Sequence, residues 1–279
     1  MHWNSPLWLM DDSEYWHDIW TGAQKEALHE KGPKIASKSA FIYDLDQSRV
    51  LWAYNEDARR PTASMTKLLG VLALSRYDTP LDKTVCLDGD QVPNMSGAGT
   101  KYRTGYCTTG WDLIGAALVS SDNGAAMALP GLVGVTHDRY ADEMNNVAEE
   151  LGMSLSSFVD PAGLSDDNLS TSRDMTLAVI AASIRSDIGM AASASDWYVQ
   201  YDTDKSQKRI SSTNRVKSMK GVEVLAAKTG YTHTARHCFT MVYISPSGRH
   251  IALTQMGAFW NSERWSDVRK MMDWVERLP

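Results

Sequence analysis

The chain has 279 residues, a formal net charge of −6, and a composition that is 43% hydrophobic and 22% charged. These values are typical of a globular protein and exclude a long disordered, collagen-like or disulfide-dense chain. No apolar run reaches the ~18 residues that span a bilayer, so the sequence predicts no transmembrane segment. The 28 basic residues form no cluster, which argues against nucleic acid as a partner.

From the amino terminus, apolar residues at helical spacing predict a helix over 13–31, which a glycine–proline pair then ends. Apolar and β-branched runs at 39–45 and 49–54 flank a polar turn and predict a hairpin. Residues 64–76 predict a helix that is apolar on nearly every side and is therefore buried.

Residues 81–107 are rich in Gly, Asp and Thr and predict loops with short strands. The rest of the chain predicts three helices, four strands and a last helix, in the order 111–120, 137–151, 171–183, 198–202, 222–228, 237–244, 249–257 and 262–277. Strands near both ends with helices between them are not a regular βαβ alternation. This order predicts an α+β fold, in which an antiparallel sheet is built from both chain ends and a helical block is inserted between them.

The strongest local signal is Ser64-Met65-Thr66-Lys67, at the start of the predicted buried helix. One helical turn separates Ser64 from Lys67, so the hydroxyl and the amine lie on the same face. A desolvated lysine near other cations can be neutral enough to accept the serine proton and so activate a nucleophile. The pattern alone also fits a capped helix with a surface lysine, but the apolar helix favours a buried Lys67.

Two further polar patterns follow at the ends of predicted elements. Ser121-Asp122-Asn123 comes directly after an apolar helix, where Ser121 could relay a proton and Asn123 could hold a substrate amide. Lys228-Thr229-Gly230 ends a strand, where the lysine and threonine could bind a carboxylate and the glycine lets a substrate backbone approach closely. Each pattern alone also fits an ordinary polar turn.

In this order, the three patterns resemble the signature set of the penicillin-recognising serine acyltransferases, which are the penicillin-binding proteins and the serine β-lactamases. From about Ser39 onward, the sequence looks like a low-molecular-mass penicillin-binding protein, a D-alanyl-D-alanine carboxypeptidase or endopeptidase. Further stretches carry the same resemblance: 117–121, 158–164, 170–175 and 237–239. The resemblance implies a β-lactamase/transpeptidase-like α+β fold, an antiparallel sheet flanked by helices with an inserted all-α subdomain.

The same resemblance implies a division of the chain. Residues 39–279 would form the penicillin-binding catalytic domain, with the helical subdomain inserted at about 80–185. Residues 1–38 have no recognisable counterpart in the family and would form an N-terminal extension that contains a helix.

The resemblance assigns the chemistry to the motif residues. Ser64 would attack the carbonyl of a D-Ala–D-X bond and form an acyl-enzyme, with Lys67 as the general base. Ser121 and Lys228 would relay the proton to the leaving amine, after which water releases the acyl group. No metal or organic cofactor is required.

The resemblance also assigns substrate binding, and its implied partners are peptidoglycan stem peptides and, as covalent inhibitors, β-lactam antibiotics. Asn123 would hold the peptide amide, and Thr229 beside Gly230 would bind the terminal carboxylate. The backbone N–H groups of the nucleophilic serine and of Tyr231 would form the oxyanion hole. Arg236 stands where the family commonly has a small residue, and it would either add a carboxylate contact or simply be exposed.

Three alternatives differ in function. A class A-like β-lactamase would need a Glu in the loop after the helical block to activate water, but residues 155–170 offer only Asp160, Asp166 and Asp167. A catalytically silent penicillin- or peptidoglycan-binding module is the third interpretation, beside the peptidase and the β-lactamase. If the chain is a peptidase, the short segment after Gly230 is typical of an endopeptidase that cleaves D-Ala–diaminopimelate crosslinks. The alternative is a carboxypeptidase.

The cysteines fit no metal motif and no Cys-x-x-Cys motif, so from the residues alone Cys86 and Cys107 are either a disulfide or free buried thiols. Because peptidoglycan lies outside the cytoplasmic membrane, the resemblance implies a periplasmic protein, and an oxidising compartment favours the Cys86–Cys107 pairing. No secretory signal is visible at the start, so this sequence would be the mature form.

Tryptophan is unusually frequent, with 10 Trp against 4 Phe, and no tryptophan lies within the three motifs. Because both chain ends contribute to one sheet layer in this family, the helix with Trp16 and Trp20 is predicted to pack near the helix with Trp265 and Trp274. We interpret these tryptophans as buried anchors for the N-terminal extension rather than as platforms for sugars.

Overall fold

The computed structural model describes residues 13–89, 100–102, 104–200, 207–216 and 219–279. Its strands are β1 (Ser39–Asp44), β2 (Arg49–Tyr54), β3 (Arg60–Pro61), β4 (Thr84–Cys86), β5 (Cys107–Thr109), β6 (Leu169–Ser170), β7 (Asp196–Gln200), β8 (Gln207–Ser211), β9 (Glu223–Thr232), β10 (Arg236–Ile244) and β11 (His250–Ala258). Its helices are α1 (Ser13–Ala23), α2 (Lys67–Leu72), α3 (Gly110–Leu118), α4 (Asn123–Met127), α5 (Leu129–Leu132), α6 (His137–Glu150), α7 (Ser172–Ile184), α8 (Ser186–Ser193) and α9 (Asn261–Glu276). Short 3₁₀ turns at Ala63–Thr66 and Ala73–Arg76 extend α2 at both ends.

The centre of the molecule is a five-stranded sheet with the strand order β2-β1-β11-β10-β9. Every neighbouring pair in it is antiparallel. Two of its strands come from the start of the chain and three from the end, so the predicted antiparallel sheet and the α+β class are confirmed. Strand β9 lies at one edge of the sheet, and its outer side faces the helices.

The two faces of the sheet bury separate apolar cores, because successive side chains of a strand point to opposite faces. Phe41 lies on one face, in a core with Leu68 of α2 and most of α7. Its neighbour Ile42 lies on the other face, in a core with Met271 of α9. The sheet is therefore a layer between α9 and the larger helical part of the molecule.

The predicted helix over 13–31 is wrong at its end, since α1 stops at Ala23. Beyond it, the backbone N–H groups of Leu28 and His29 donate to the carbonyl groups of Val50 and Leu51 at 2.9 and 3.1 Å. The unpaired edge of β2 thus provides hydrogen bonds that replace the helical ones. Such long-range pairing overrides a weak local preference for helix.

The predicted contact between α1 and the C-terminal helix is also wrong. Ile19 of α1 is fully buried in the core that contains α7, on the face of the sheet opposite α9. Trp20 packs against Gly152, where an added Cβ would lie 2.0 Å from the indole Nε1, but it is 39% exposed, so the interpretation of Trp20 as a buried anchor is wrong. His29 contacts Trp274 instead, with ring centroids 5.4 Å apart, because the chain crosses the β2 edge after α1 ends. The side chain of Trp16 lies outside the described residues.

The segment between β2 and β9 is mainly helical, and it contains six elements that the sequence analysis did not predict: β3, α4, α5, β6, α8 and β8. The small hairpin of β4 and β5 places Cys86 opposite Cys107, and the two form a disulfide. Among the described residues, no single helix is long and apolar enough to cross a membrane; only α7 and α8 counted together, across a 109° bend, meet that test. The limits of the inserted subdomain and of the N-terminal extension stay predictions.

Candidate active site

Ser64 lies in a tight turn in front of α2. The turn begins with Ala63 in the left-handed region at φ +48°, a conformation that non-glycine residues rarely adopt. The hydroxyl of Thr62 lies 2.6 Å from that of Thr66 and donates to the carbonyl of Asn168 at 3.0 Å, which fixes the turn from both sides. A strained residue held by its surroundings beside a polar side chain is typical of functional sites.

Lys67 is completely buried and lies among three oxygen atoms. Its Nζ is 2.9 Å from Ser64 Oγ, 2.7 Å from Asn123 Oδ1 and 2.6 Å from the carbonyl oxygen of Ala162. Burial lowers the pKa of Lys67 to about 7, although the nearby carboxylates oppose that shift. A neutral amine has two N–H donors and one lone pair. Asn123 and Ala162 can accept the two donors, which leaves the lone pair for the proton of Ser64.

A second lysine–serine pair lies close to the first. Lys228 Nζ is 2.8 Å from Ser121 Oγ and 3.0 Å from the carbonyl oxygen of Thr229. Burial and the positive charges of Lys67 and Arg264 hold the pKa of Lys228 well below its ordinary value. A lysine with such a lowered pKa can exchange a proton with the Ser121 hydroxyl.

The turn that carries Ser121 and Asn123 is held by Asp122. Ser121 is left-handed at φ +60°, and Asp122 is the N-cap of α4, accepting from Ala125 N at 3.0 Å. The same carboxylate also accepts from the Thr100 hydroxyl at 2.7 Å. Because Asp122 uses its oxygens on the backbone and on Thr100, it fixes the direction of the residues on either side of it.

Strand β9 packs against the Ser64 turn. A Cβ built on Gly230 would lie 2.7 Å from the carbonyl oxygen of Thr62 and 3.3 Å from Met65 N, so only glycine permits this approach. Thr229 Oγ1 lies 2.7 Å from Thr213 Oγ1, and the Tyr231 side chain is half exposed. The backbone of β9 at Gly230 thus lies directly against the Ser64 turn.

The loop in front of β6 supplies a part of the site whose role was not predicted from the sequence. Asp160 accepts hydrogen bonds from four backbone N–H groups of residues 162–165 and from the Asn168 side chain. This arrangement holds the Ala162 carbonyl against Lys67. Asp166 of the same loop accepts from the Thr234 hydroxyl at 2.6 Å and so connects the loop to the β9–β10 hairpin. An Asp followed by small residues is the only sequence signal for it.

The structure brings together the predicted residues of all three motifs, with one predicted residue set apart. Arg236 begins β10 in the left-handed region, and its guanidinium lies 4.5 Å above the ring of Phe259. In the described part of the chain, Arg236 takes no part in the hydrogen bonds that join the two lysine–serine pairs. Its contact with a substrate carboxylate stays a prediction. No group of three or more His, Cys, Asp or Glu side chains among the described residues is placed to hold a metal ion.

A buried, weakly basic lysine against a serine, a second lysine–serine pair and an open strand edge together define a serine acyl-transfer site. The comparisons with known proteins agree. A sequence model of the D-alanyl-D-alanine carboxypeptidase family matches residues 25–259. The chain therefore belongs to this family of serine DD-peptidases, which are penicillin-binding enzymes that act on peptidoglycan.

Individual relatives point the same way. The chain is 31% identical to a D-alanyl-D-alanine endopeptidase of Escherichia coli, over 88% of this chain and 78% of the relative. Its fold is similar to that of the Streptomyces K15 DD-transpeptidase, with a TM-score of 0.79 and 23% identity over 89% of this chain and 100% of the other. It is also similar to penicillin-binding protein D2 of Listeria monocytogenes in its cefotaxime-bound form, with a TM-score of 0.75 and 25% identity over 89% and 100% of the chains. The predicted family and fold are confirmed.

Proposed function

We propose that this chain is an endopeptidase that cleaves D-Ala–diaminopimelate crosslinks of peptidoglycan through an acyl-enzyme on Ser64. Cleavage of a terminal D-Ala is the second activity that the same site would support. The observation that carries the proposal is the fully buried Lys67, with its Nζ 2.9 Å from Ser64 Oγ. The likeness to the E. coli endopeptidase favours the crosslink over the terminal residue.

Acylation begins when the neutral amine of Lys67 accepts the proton of Ser64. The Ser64 oxygen then attacks the carbonyl carbon of the penultimate D-Ala, and the peptide bond's C–N bond breaks as the tetrahedral intermediate collapses. The leaving amine needs a proton, and the hydroxyl of Ser121, 2.8 Å from Lys228 Nζ, is placed to deliver one. Water then hydrolyses the ester and regenerates Ser64.

Side chains and backbone groups share substrate binding in this proposal. Thr229, next to Lys228, binds the carboxylate at the end of the substrate, and Asn123 holds a peptide amide. The backbone N–H groups of Ser64 and Tyr231 donate to the oxyanion that forms during attack. A β-lactam presents a similar carboxylate and a reactive carbonyl, and we expect it to acylate Ser64.

The β-lactamase alternative is not favoured by the loop beside the site. Rapid hydrolysis of a penicillin ester requires a carboxylate that is free to activate water. Asp160 is occupied by backbone N–H groups, and Asp166 accepts from the hydroxyls of Thr232 and Thr234. We therefore expect a penicillin ester on Ser64 to persist.

The proposed compartment is the periplasm, where peptidoglycan is accessible. The disulfide between Cys86 and Cys107 supports this proposal, because disulfides persist in oxidising compartments. Measuring the free thiols of protein isolated from the native cell envelope tests it. One free thiol per unfolded chain, from Cys238, is expected, whereas three would contradict it.

Labelling with a fluorescent penicillin, followed by digestion of crosslinked muropeptide dimers, tests the function. We expect labelling of the wild-type chain and none of Ser64→Ala. Ser75→Ala is the matched control, because Ser75 is a buried serine of the same helical segment whose hydroxyl donates to Leu72 O at 2.7 Å. This variant should label normally.

The products of the digestion decide between the two activities. Release of monomers from dimers supports the endopeptidase, whereas loss of the terminal D-Ala alone identifies a carboxypeptidase. An unlabelled wild-type chain would refute the acyl-enzyme and favour the silent binding module.

A further inference from the structure

Arg264 is a buried cation directly behind the wall of the active site. It lies in the first turn of α9, and only 8% of its surface is exposed. Its Nη1 donates to the carbonyl oxygens of Gly230 at 3.3 Å and Cys238 at 3.4 Å, and its Nη2 donates to Asn261 Oδ1 at 2.6 Å. The guanidinium also lies 4.7 Å from the centre of the Trp265 ring. The side chain is thus fixed against the back of β9 and β10.

The cost of burying this charge is not offset by an ion pair. Within the described residues, no carboxylate forms a salt bridge with Arg264, and its Nε has no hydrogen-bond partner. Burial lowers the pKa of Arg264 to about 10, so the group remains a cation at neutral pH. A buried, unpaired cation destabilises a fold, and its presence calls for a role beyond packing.

The carbonyl that Arg264 contacts belongs to the same peptide unit as the N–H of Tyr231. The described peptide bonds are all trans, so the oxygen of Gly230 and the N–H of Tyr231 point in opposite directions. The oxygen points back toward Arg264 and β10, so the N–H points outward from the edge of β9. The Ser64 turn packs against the face of β9 toward which a side chain at Gly230 would point, since a Cβ on Gly230 would lie 3.3 Å from Met65 N. One peptide unit therefore connects the buried cation to the reaction centre.

We propose that Arg264 is a positioning residue that orients and polarises the Tyr231 N–H as an oxyanion donor, an inference that rests on the function proposed above. A cation on the carbonyl oxygen draws electron density through the peptide unit and makes its N–H a stronger donor. The two hydrogen bonds to Gly230 and Cys238 also prevent the peptide unit from rotating. Donors that are fixed before the reaction stabilise the negative charge as it develops. The negative charge is absent in the ground state, so Arg264 acts on the rate of attack and not on substrate binding.

The test measures acylation by a fluorescent penicillin in a stopped-flow instrument, which separates the acylation rate constant from the dissociation constant of the first complex. Arg264→Met keeps the length of the side chain but removes the charge. We expect it to lower the rate constant roughly 10- to 100-fold, less than the loss of an oxyanion donor itself, and to change the dissociation constant less than about threefold. Arg264→Lys keeps the charge but loses the planar guanidinium and its paired N–H donors. Its acylation rate constant should therefore lie between those of Arg264→Met and wild type.

Arg249→Met is the matched control. Arg249 also connects the sheet to α9, donating to Asp44 Oδ2 at 2.8 Å and to the Val275 carbonyl at 3.3 Å, but at the opposite end of the sheet. Its removal loosens α9 without touching the Gly230–Tyr231 peptide. We expect a lower melting temperature with an acylation rate constant within about threefold of wild type.

A boronic acid analogue of the substrate provides a readout that packing alone would not move. Its tetrahedral adduct on Ser64 places a negative oxygen in the oxyanion hole, so its affinity should fall by about the same factor as the rate constant across the Arg264 variants. Equal rate constants for the Arg264 and Arg249 variants, or an unchanged boronate affinity, would overturn the proposal. If Arg264→Met does not fold, the acylation rate constant and the boronate affinity of Arg264→Lys, each relative to wild type, test the proposal instead. An unlabelled wild-type chain would instead refute the proposed function, and the oxyanion role with it.

Discussion

The rate of Ser64 acylation should rise about tenfold between pH 6 and pH 8. Burial lowers the pKa of Lys67 to about 7, so the neutral fraction of its amine grows from about 9% to about 91% across this interval. A solvent-exposed lysine with a pKa of 10.5 would be about 0.03% neutral at pH 7. Burial therefore increases the amount of usable base more than a thousandfold. The sign follows from the chemistry, because only the deprotonated amine can accept the serine proton.

The assay is stopped-flow acylation by a fluorescent penicillin, recorded from pH 5.5 to pH 9 with Ser64→Ala as the blank. We expect a single rise with its midpoint near pH 7, set by Lys67. Lys67→Arg is the informative variant, since a guanidinium stays protonated over this range and cannot act as the base. Its acylation should be very slow and independent of pH. A wild-type profile that is flat, or that still rises at pH 9 without reaching a plateau, would show that Lys67 does not act as a base with a pKa near 7.

Three further predictions concern stability and access to the site. Ile19→Ala should lower the free energy of unfolding, measured by urea titration, by about 2–5 kcal/mol, because the side chain is fully buried, and it should leave the acylation rate unchanged. A loss of less than about 1 kcal/mol would show that α1 does not pack against the core. Reducing the disulfide between Cys86 and Cys107, which are 21 positions apart, should lower the free energy of unfolding by about 3 kcal/mol and lower the melting temperature. An unchanged melting temperature would contradict the cross-link. Gly230→Ala should abolish penicillin labelling, because the new Cβ would lie 2.7 Å from a backbone oxygen. Gly89→Ala is the control and should label normally, since its Cβ would have no contact closer than 3.9 Å, and labelling of both variants would contradict the prediction.

Local sequence patterns predicted the elements that carry the chemistry. The helical segment at Ser64 and the turn at Ser121 lie where the sequence predicts them. The strand predicted over 222–228 is also present, but β9 continues to Thr232, so Lys228 and the two residues after it lie within the strand and not at its end. The helix predicted over 171–183 gives a further example, because the Thr171 hydroxyl accepts from Asp174 N at 3.0 Å and caps the start of α7. Each of these signals depends on side chains a few positions apart, which is the range over which local geometry is determined.

Thr171-Ser172-Arg173-Asp174 resembles a capping box, in which each of the two end side chains bonds to the backbone N–H of the other residue, but only one of these two bonds is present. The Asp174 carboxylate does not bond back to the Thr171 N–H; it accepts from the Leu155 N–H and the Ser156 hydroxyl at 3.0 and 2.7 Å. A neighbouring loop thus competes for the second half of a local motif. Nothing in the four-residue pattern itself could show that this loop lies within reach.

The missed and mistaken elements have a similar origin. Helix α8 is short and contains Gly189, and it is formed because Ile188 and Ala191 are buried in the core. The predicted helix beyond Ala23 gave way to hydrogen bonds with β2. In both cases a weak local preference was decided by contacts with residues far along the chain.

By itself, the sequence determined the nature of the site: a serine and a lysine one helical turn apart, two further polar motifs, and a family resemblance that implies acyl transfer. Only the tertiary structure decided how those groups act on one another. Lys67 reaches Asn123 across 56 positions, Lys228 reaches Ser121 across 107, and Arg264 reaches the Gly230 carbonyl across 34. The burial that lowers the pKa of Lys67 arises from packing against distant segments, and the strength of an electrostatic effect depends on that packing. A residue pattern specifies which groups are present, but the distances and the burial that make them reactive exist only in the folded chain.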